Sequence, residues 1–262
     1  MSSLIGIELP FYTYGILMGI AFILGIWLFK FNSRNSSLPR PPFIDLILVL
    51  SICGVAGARI NYILLFPQYY HSLRDCLALH EGGLVFYGGL ILAITGLLVY
   101  CRIKHYSFAM VADYMIPSLA LGHAMGRVGC LINDCCYGAV TETIKIYHLK
   151  RDPAGVFRHP TQLYEITYLI ILALIFTFIL RSNWQEKPGN RGCVTASYLI
   201  SYAILRFGNE YLRADSRGGF FTMLQLSPAQ ITSLILLICG ILWILYIKRK
   251  NHNVDCGEIN NG

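Results

Sequence analysis

The sequence predicts an all-α polytopic membrane protein with about seven transmembrane helices, the N-terminus outside and the C-terminus cytoplasmic. Of its 262 residues, 55% are hydrophobic and only 13% charged, whereas soluble domains carry about a quarter charged residues. The apolar residues form long continuous blocks rather than an amphipathic pattern, each near the ~20 residues a helix needs to cross the hydrocarbon core. Basic residues gather in the short connections beside alternate blocks, the distribution that sets orientation in a bilayer.

In chain order the blocks are 11–29, 43–65, 84–100, 108–125, 161–180, 194–212 and 226–247. Lys30, Arg34 and Arg40 follow the first, Arg102 and Lys104 the third, Arg181, Lys187 and Arg191 the fifth, and Lys248, Arg249 and Lys250 the seventh. These ends are expected in the cytoplasm, and no Lys or Arg precedes the first block. That block reads as a span rather than a cleavable leader, because it lacks a basic n-region and is too long for an h-region. Residues 1–250 read as a single membrane domain without internal repeats, and 251–262 as a polar, disordered cytoplasmic tail. The formal charge of +7 comes from these loops and makes no continuous basic face, so nucleic acid is not an expected partner.

One outer segment, 126–160, departs from the charge distribution with Arg127, Lys145, Lys150, Arg151 and Arg158. Cations there suit an anionic headgroup, although a solvated loop accounts equally well for the last four. Within the spans the charges are few, since each costs about 2.5–3.5 kcal/mol near the bilayer centre. Arg59 lies in the second block, Asp113 in the fourth, Glu165 in the fifth, and Arg206 and Glu210 with Asn209 in the sixth. Arg206 and Glu210 are four apart on one helical face, and Arg213 extends the stripe. The pattern fits either a self-satisfied ion pair or the wall of a polar cavity. Asp45 and Asp113 sit near cytoplasmic ends and are assigned to headgroup water or a neighbouring helix. Glycines concentrate at 81–89 and 122–138, where they permit either close helix packing or close approach of a ligand to the backbone.

Of the nine cysteines, Cys53, Cys101 and Cys239 belong to spans and read as small apolar side chains. Cys130, Cys135 and Cys136 cluster on the predicted outer side, where disulfides persist, and Cys130 is expected to be oxidised with one of its neighbours. No adjacent His pair has zinc-ligand spacing, so neither a metal nor another cofactor is expected.

The segment Gly126-Arg127-Val128-Gly129-Cys130-Leu131-Ile132-Asn133-Asp134-Cys135-Cys136-Tyr137-Gly138 resembles the defining motif of the prolipoprotein diacylglyceryl transferases, in which Gly-Arg-x-Gly precedes an Asn-containing stretch and a closing Gly. Other segments follow in the family's order: Tyr14-Gly15, Gly57-Ala58-Arg59-Ile60-Asn61-Tyr62, Gly82-Gly83-Leu84-Val85-Phe86-Tyr87-Gly88-Gly89, His159-Pro160-Thr161-Gln162-Leu163-Tyr164-Glu165 and Arg206-Phe207-Gly208-Asn209-Glu210-Tyr211-Leu212-Arg213. The resemblance spans nearly the whole membrane domain. It implies a multi-pass enzyme of the bacterial cytoplasmic (inner) membrane that acts in lipoprotein biosynthesis. Such enzymes move the diacylglyceryl group of phosphatidylglycerol, or act on another anionic phospholipid, and deliver it to the lipobox cysteine thiol of a prolipoprotein.

That resemblance implies a catalytic set of Tyr14, Tyr87, Arg127, Arg206 and Glu210, with Arg59, Asn133, Gly138 and Arg213 binding substrate. Guanidinium groups suit the phosphate leaving group because they bind it bidentately. Three positions depart from the family: Tyr87 stands where His is usual, Cys130 where Asn is usual and Cys135 where Glu is usual. Tyr, with a pKa near ~10 against ~6.5 for His, is a poor base at neutral pH, and His80, His123 or His159 are candidates to replace it. Three alternatives stay open: a paralogue with a different acceptor, a membrane thiol–disulfide protein using Cys130, Cys135 and Cys136, and a non-catalytic lipid-binding relative.

Overall fold

The computed structural model describes residues 13–34, 36, 39, 41–70, 72, 75, 76, 78, 82–133, 135–141, 157–213 and 226–259. Seven long helices lie among them: α1 Thr13–Ser33, α2 Phe43–Leu65, α3 Phe86–Ile103, α4 Phe108–Ile132, α5 Thr161–Arg181, α6 Cys193–Glu210 and α7 Pro228–Ile259. The described residues contain no named strand, only isolated bridges that pair Gly138 with Arg213 and Val140 with Arg158. All of α1 to α5, and the Pro228–Arg249 part of α7, are long and apolar enough to cross a membrane. The sixth block of the predicted pattern is the exception in kind. Helix α6 has 18 residues, and Arg206, Asn209 and Glu210 occupy its C-terminal turn.

The helix ends follow local chemistry. Pro42 precedes α2 and Pro160 precedes α5, where the missing N–H and restricted backbone of proline suit a helix start. At the start of α7, Ser227 Oγ accepts from Gln230 N at 3.2 Å while Gln230 Oε1 accepts from Ser227 N at 2.9 Å, a reciprocal capping box. Helix α6 is capped from another helix, since Asp113 of α4 accepts from Gly192 N, Thr195 N and Thr195 Oγ1, each at 2.7 Å. Of the two contacts expected for Asp113, the one with a neighbouring helix is realised.

Packing divides the chain into two units, 37–111 and the remainder. In the smaller unit α2 and α3 meet on glycine. A Cβ on Gly57 would strike Gly88 O and Leu92 Cβ, and one on Gly88 would strike Asn61 Cβ and Gly57 O. The glycines of the third span therefore serve close helix approach, as small residues do in lipid. Tyr100 donates to Asp45 Oδ2 at 2.7 Å across the same pair.

In the larger unit Ser118 of α4 donates to Gly25 O of α1 at 2.8 Å, and Gly240 of α7 lies against Ala196 and Ile200 of α6. Its distribution of polarity is inverted relative to a soluble core. Asp113, Glu165, Arg206, Asn209 and Glu210 are buried, while Phe178 and Leu174 are 78% and 65% exposed. Lipid is the solvent such a surface requires, and backbone groups satisfied within helices meet the same demand. The chain is a polytopic all-α membrane protein.

Candidate active site

Helix α4 runs to Ile132, past the predicted end at 125, and this carries Arg127 on the helix rather than in a loop. A guanidinium does not end the helix because its charge is met from α5: Arg127 Nη2 lies 3.1 Å from Glu165 Oε1. Glu165 is 1% exposed, so its carboxylate must be paired to remain charged. Two further groups face the same oxygen, His123 Nε2 at 3.6 Å and Arg206 Nε at 3.9 Å. Asn209 Nδ2 donates to Glu165 Oε2 at 3.5 Å and to Thr161 O at 3.3 Å.

Glu210 is the second anionic centre. Arg206 Nη1 donates to its Oε2 at 2.7 Å, one helical turn away, and Arg213 Nε stands 3.8 Å from the same oxygen. Ser227 Oγ, the capping hydroxyl of α7, donates to Glu210 Oε1 at 2.8 Å. Arg206 thus links the two carboxylates, and α4, α5 and α6 supply one connected network of charges that α7 reaches through Ser227. Three guanidinium groups and two carboxylates meet here, buried on 6% to 9% exposed positions for Arg206 and Glu210. Such a site offers several fixed N–H donors to a phosphate, in surroundings where each is worth more than in water.

Gly138 locks Arg213 to this network. Its backbone bridges that of Arg213, Gly138 N donates to His159 O at 2.9 Å, and Ala139 N donates to Leu212 O at 2.7 Å. A Cβ at Gly138 would lie 2.5 Å from Leu212 O and 2.6 Å from His159 Cβ, so only glycine fits. The last turns of α4 and the loop before Gly138 hold the three thiols, Cys130 on the helix and Cys135 and Cys136 in the loop. Cys130, Cys135 and Cys136 are not joined in disulfides, so the expected oxidation is not the state the structure holds; their Sγ atoms all lie within 4.8 Å of one another. Hydrogen bonding from the Cys130 thiol, then from Arg213, pulls the Cys136 thiol down to about 4, and burial pushes that of Cys135 up.

Of the remaining expected residues, Asn133 is exposed just beyond α4, its N–H donating to Gly129 O at 3.0 Å. Tyr14 lies in the first turn of α1, and its side chain falls outside the described residues. Tyr87 is an exposed residue near the start of α3, its ring 5.8 Å from that of Phe86. His80 lies outside the described residues.

Arg59 is engaged within its own unit. Nε donates to Cys76 O at 2.9 Å, Nη1 to Gly82 O at 2.6 Å and Gly83 O at 3.2 Å, and Nη2 to Asp75 O at 2.7 Å and Ala78 O at 3.1 Å. These bonds occupy all of its N–H donors. Its structural task is to gather that loop.

Glu165, Asn209 and Ser227 complete the network although the expected site did not include them, and His123, one of the candidate replacement bases, reaches it through Glu165. Glu165 and Asn209 were visible as polar residues in apolar blocks. The Ser-x-x-Gln spacing at 227–230 was visible as a capping box, but nothing local connects it to Glu210.

Fold and site define a polytopic membrane protein with an intramembrane arginine–carboxylate centre suited to an anionic lipid headgroup. The chain belongs to the prolipoprotein diacylglyceryl transferase family, whose model matches residues 2–246. Among its relatives are phosphatidylglycerol–prolipoprotein diacylglyceryl transferases of Finegoldia magna, 33% identical with 98% of this chain and 97% of the relative covered, and of Bacillus cytotoxicus, 31% identical with 94% and 91% covered. A Bacillus cereus relative of the same name is 30% identical over 94% of this chain.

Proposed function

We propose that this chain transfers the diacylglyceryl group of phosphatidylglycerol to the lipobox cysteine thiol of a prolipoprotein. The names of its relatives supply both substrates, and the observation that carries the reading is the convergence of Arg127 and Arg206 on Glu165. In the reaction a sulfur–carbon bond forms to the glyceryl carbon and the carbon–oxygen bond to phosphate breaks. The electron pair leaves with the oxygen as glycerol phosphate, and the thiol proton is released. Negative charge grows on the phosphate, where preorganised guanidinium donors lower the barrier.

Glu165 and Glu210 act as positioning residues that hold Arg127, Arg206 and Arg213 in register before the lipid arrives. Gly138 holds the Arg213 backbone, and His123 is an imidazole that reaches the cluster, its Nε2 3.6 Å from Glu165 Oε1. Assignment of Tyr14, Tyr87 and Asn133 to the substrate side rests on the family motif. We place the protein in the bacterial cytoplasmic membrane with its N-terminus outside, on the strength of the basic residues that follow alternate spans. The test is incubation of purified protein with phosphatidylglycerol and a lipobox peptide. A peptide mass increased by one diacylglyceryl group, with release of glycerol phosphate, supports the reading. An unmodified peptide, with transfer to some other thiol acceptor, would replace it by a relative of different acceptor specificity.

A further inference from the structure

We propose that Cys130, Cys135 and Cys136 form a three-thiolate site for a soft divalent cation of the zinc class, whose open fourth position takes the acceptor thiol of the substrate peptide. The second half of this inference rests on the transferase reading; the first does not.

The geometry comes from two helices. Cys130 lies in the last turns of α4, and Cys135 N returns to Cys130 O at 3.1 Å. The buried first turn of α5 fixes the other two, with Gln162 Nε2 donating to Cys135 O at 2.7 Å and Thr161 Oγ1 to Cys136 O at 2.8 Å. Cys136 is thereby held at φ 65°, a left-handed backbone that a side-chain-bearing residue adopts at a cost. The outcome is three sulfur atoms within 4.8 Å of one another. Zinc–sulfur bonds of about 2.3 Å place thiolate sulfurs about 4 Å apart, so small side-chain rotations complete the set.

The number of ligands and their exposure indicate what kind of site this is. Among the described residues no fourth His, Cys, Asp or Glu joins the cluster, and Cys135 is exposed while Cys130 and Cys136 are half-buried. Structural zinc sites close with four protein ligands, whereas sites that act on a substrate keep one position open. Charge agrees. Three thiolates on a divalent cation carry one net negative charge, and the neighbouring network has one more guanidinium than carboxylate. Gly138, two residues past Cys136, bridges the Arg213 backbone, so the thiols and the arginine centre adjoin.

Coordination would supply what a thiol alkylation needs. A free thiol with a pKa near ~8.5 is mostly protonated at neutral pH, and binding to such a cation deprotonates it. The peptide thiol displaces a metal-bound water, losing its proton to solvent. Its sulfur then attacks the glyceryl carbon, and the oxygen leaves with the bonding electrons as glycerol phosphate. No electron is gained or lost by the metal.

The experiment uses the full chain in detergent, reduced and stripped of metal, then titrated with Co2+ as the spectroscopic probe. Expected is equimolar binding with thiolate-to-cobalt charge-transfer absorption, displaced by Zn2+. The absorption should be lost in Cys130→Ser and in Cys136→Ser but retained in Cys53→Ser, with folding of each checked by thermal unfolding. Addition of a lipobox peptide should shift the cobalt bands, and the same peptide with Ser in place of Cys should not. Absence of cobalt–thiolate absorption in reduced protein that still transfers diacylglyceryl overturns the metal site and leaves the transferase reading standing. Cobalt binding with no response to the Cys peptide overturns the open-position role. A disulfide among the three cysteines in transfer-active protein overturns the whole inference.

Discussion

Arg127 on α4 and Glu165 on α5 form an ion pair, Nη2 to Oε1 at 3.1 Å, on a carboxylate that is 1% exposed. Removing one partner of such a pair leaves an uncompensated buried charge. Glu165→Gln keeps the shape but leaves Arg127 and Arg206 without their shared anion, and a loss of about 3–5 kcal/mol is expected. Thermal unfolding in detergent should fall accordingly, and transfer activity per folded molecule should drop, because both guanidinium groups lose their register.

Gly138→Ala tests the lock on Arg213. The added methyl group must displace Leu212 O or the His159 backbone, at a cost of about 1–3 kcal/mol for overpacking. Activity should fall more than stability, since Arg213 moves with the broken bridge while the helices remain. Transfer rate and melting temperature, measured on the same preparation, separate the two effects.

Asp113→Ala has the opposite signature. It removes three acceptor contacts from the start of α6, and loss of a cap costs up to about 2 kcal/mol. The melting temperature should fall while transfer per folded molecule stays near that of the unmodified chain.

Arg59→Lys probes the loop of the smaller unit. Lysine has three donors where arginine has five, so two of the carbonyl contacts are lost. At about 1 kcal/mol each, the loop opens some 2 kcal/mol more easily, and hydrogen exchange of peptides covering 75–83 should quicken by roughly 30-fold.

These residues show what the sequence made legible. The helices start within about two residues of the predicted apolar blocks because a bilayer demands continuous apolar runs, and that demand is written locally; α7, however, continues to Ile259, through most of the stretch expected to be a disordered tail. The end of α4 was placed too early because Arg127 looks like a boundary until Glu165, 38 residues away on another helix, neutralises it. Arg59 looks like an anion ligand for a related reason: its partners are backbone carbonyls, which have no letter of their own in a sequence. Arg206 and Glu210 were legible as a pair because they share one helical face. Their link through Glu165 to Arg127, and the capping Ser227 that reaches Glu210, exist only after folding. The three cysteines were legible as a cluster, but neither their convergence nor their anchorage to Thr161 and Gln162 follows from spacing.

The most direct test of the arginine centre is the rate of diacylglyceryl transfer from phosphatidylglycerol liposomes to a lipobox peptide by Arg127→Lys and Arg206→Lys, each normalised to folded protein. Lysine keeps the charge but not the planar fork that binds phosphate at two points. Loss of a preorganised donor of this kind costs about 2.7–4 kcal/mol of barrier, roughly a hundred- to a thousandfold in rate. The account predicts folded, membrane-inserted variants slowed to that extent. Full activity in both would contradict it.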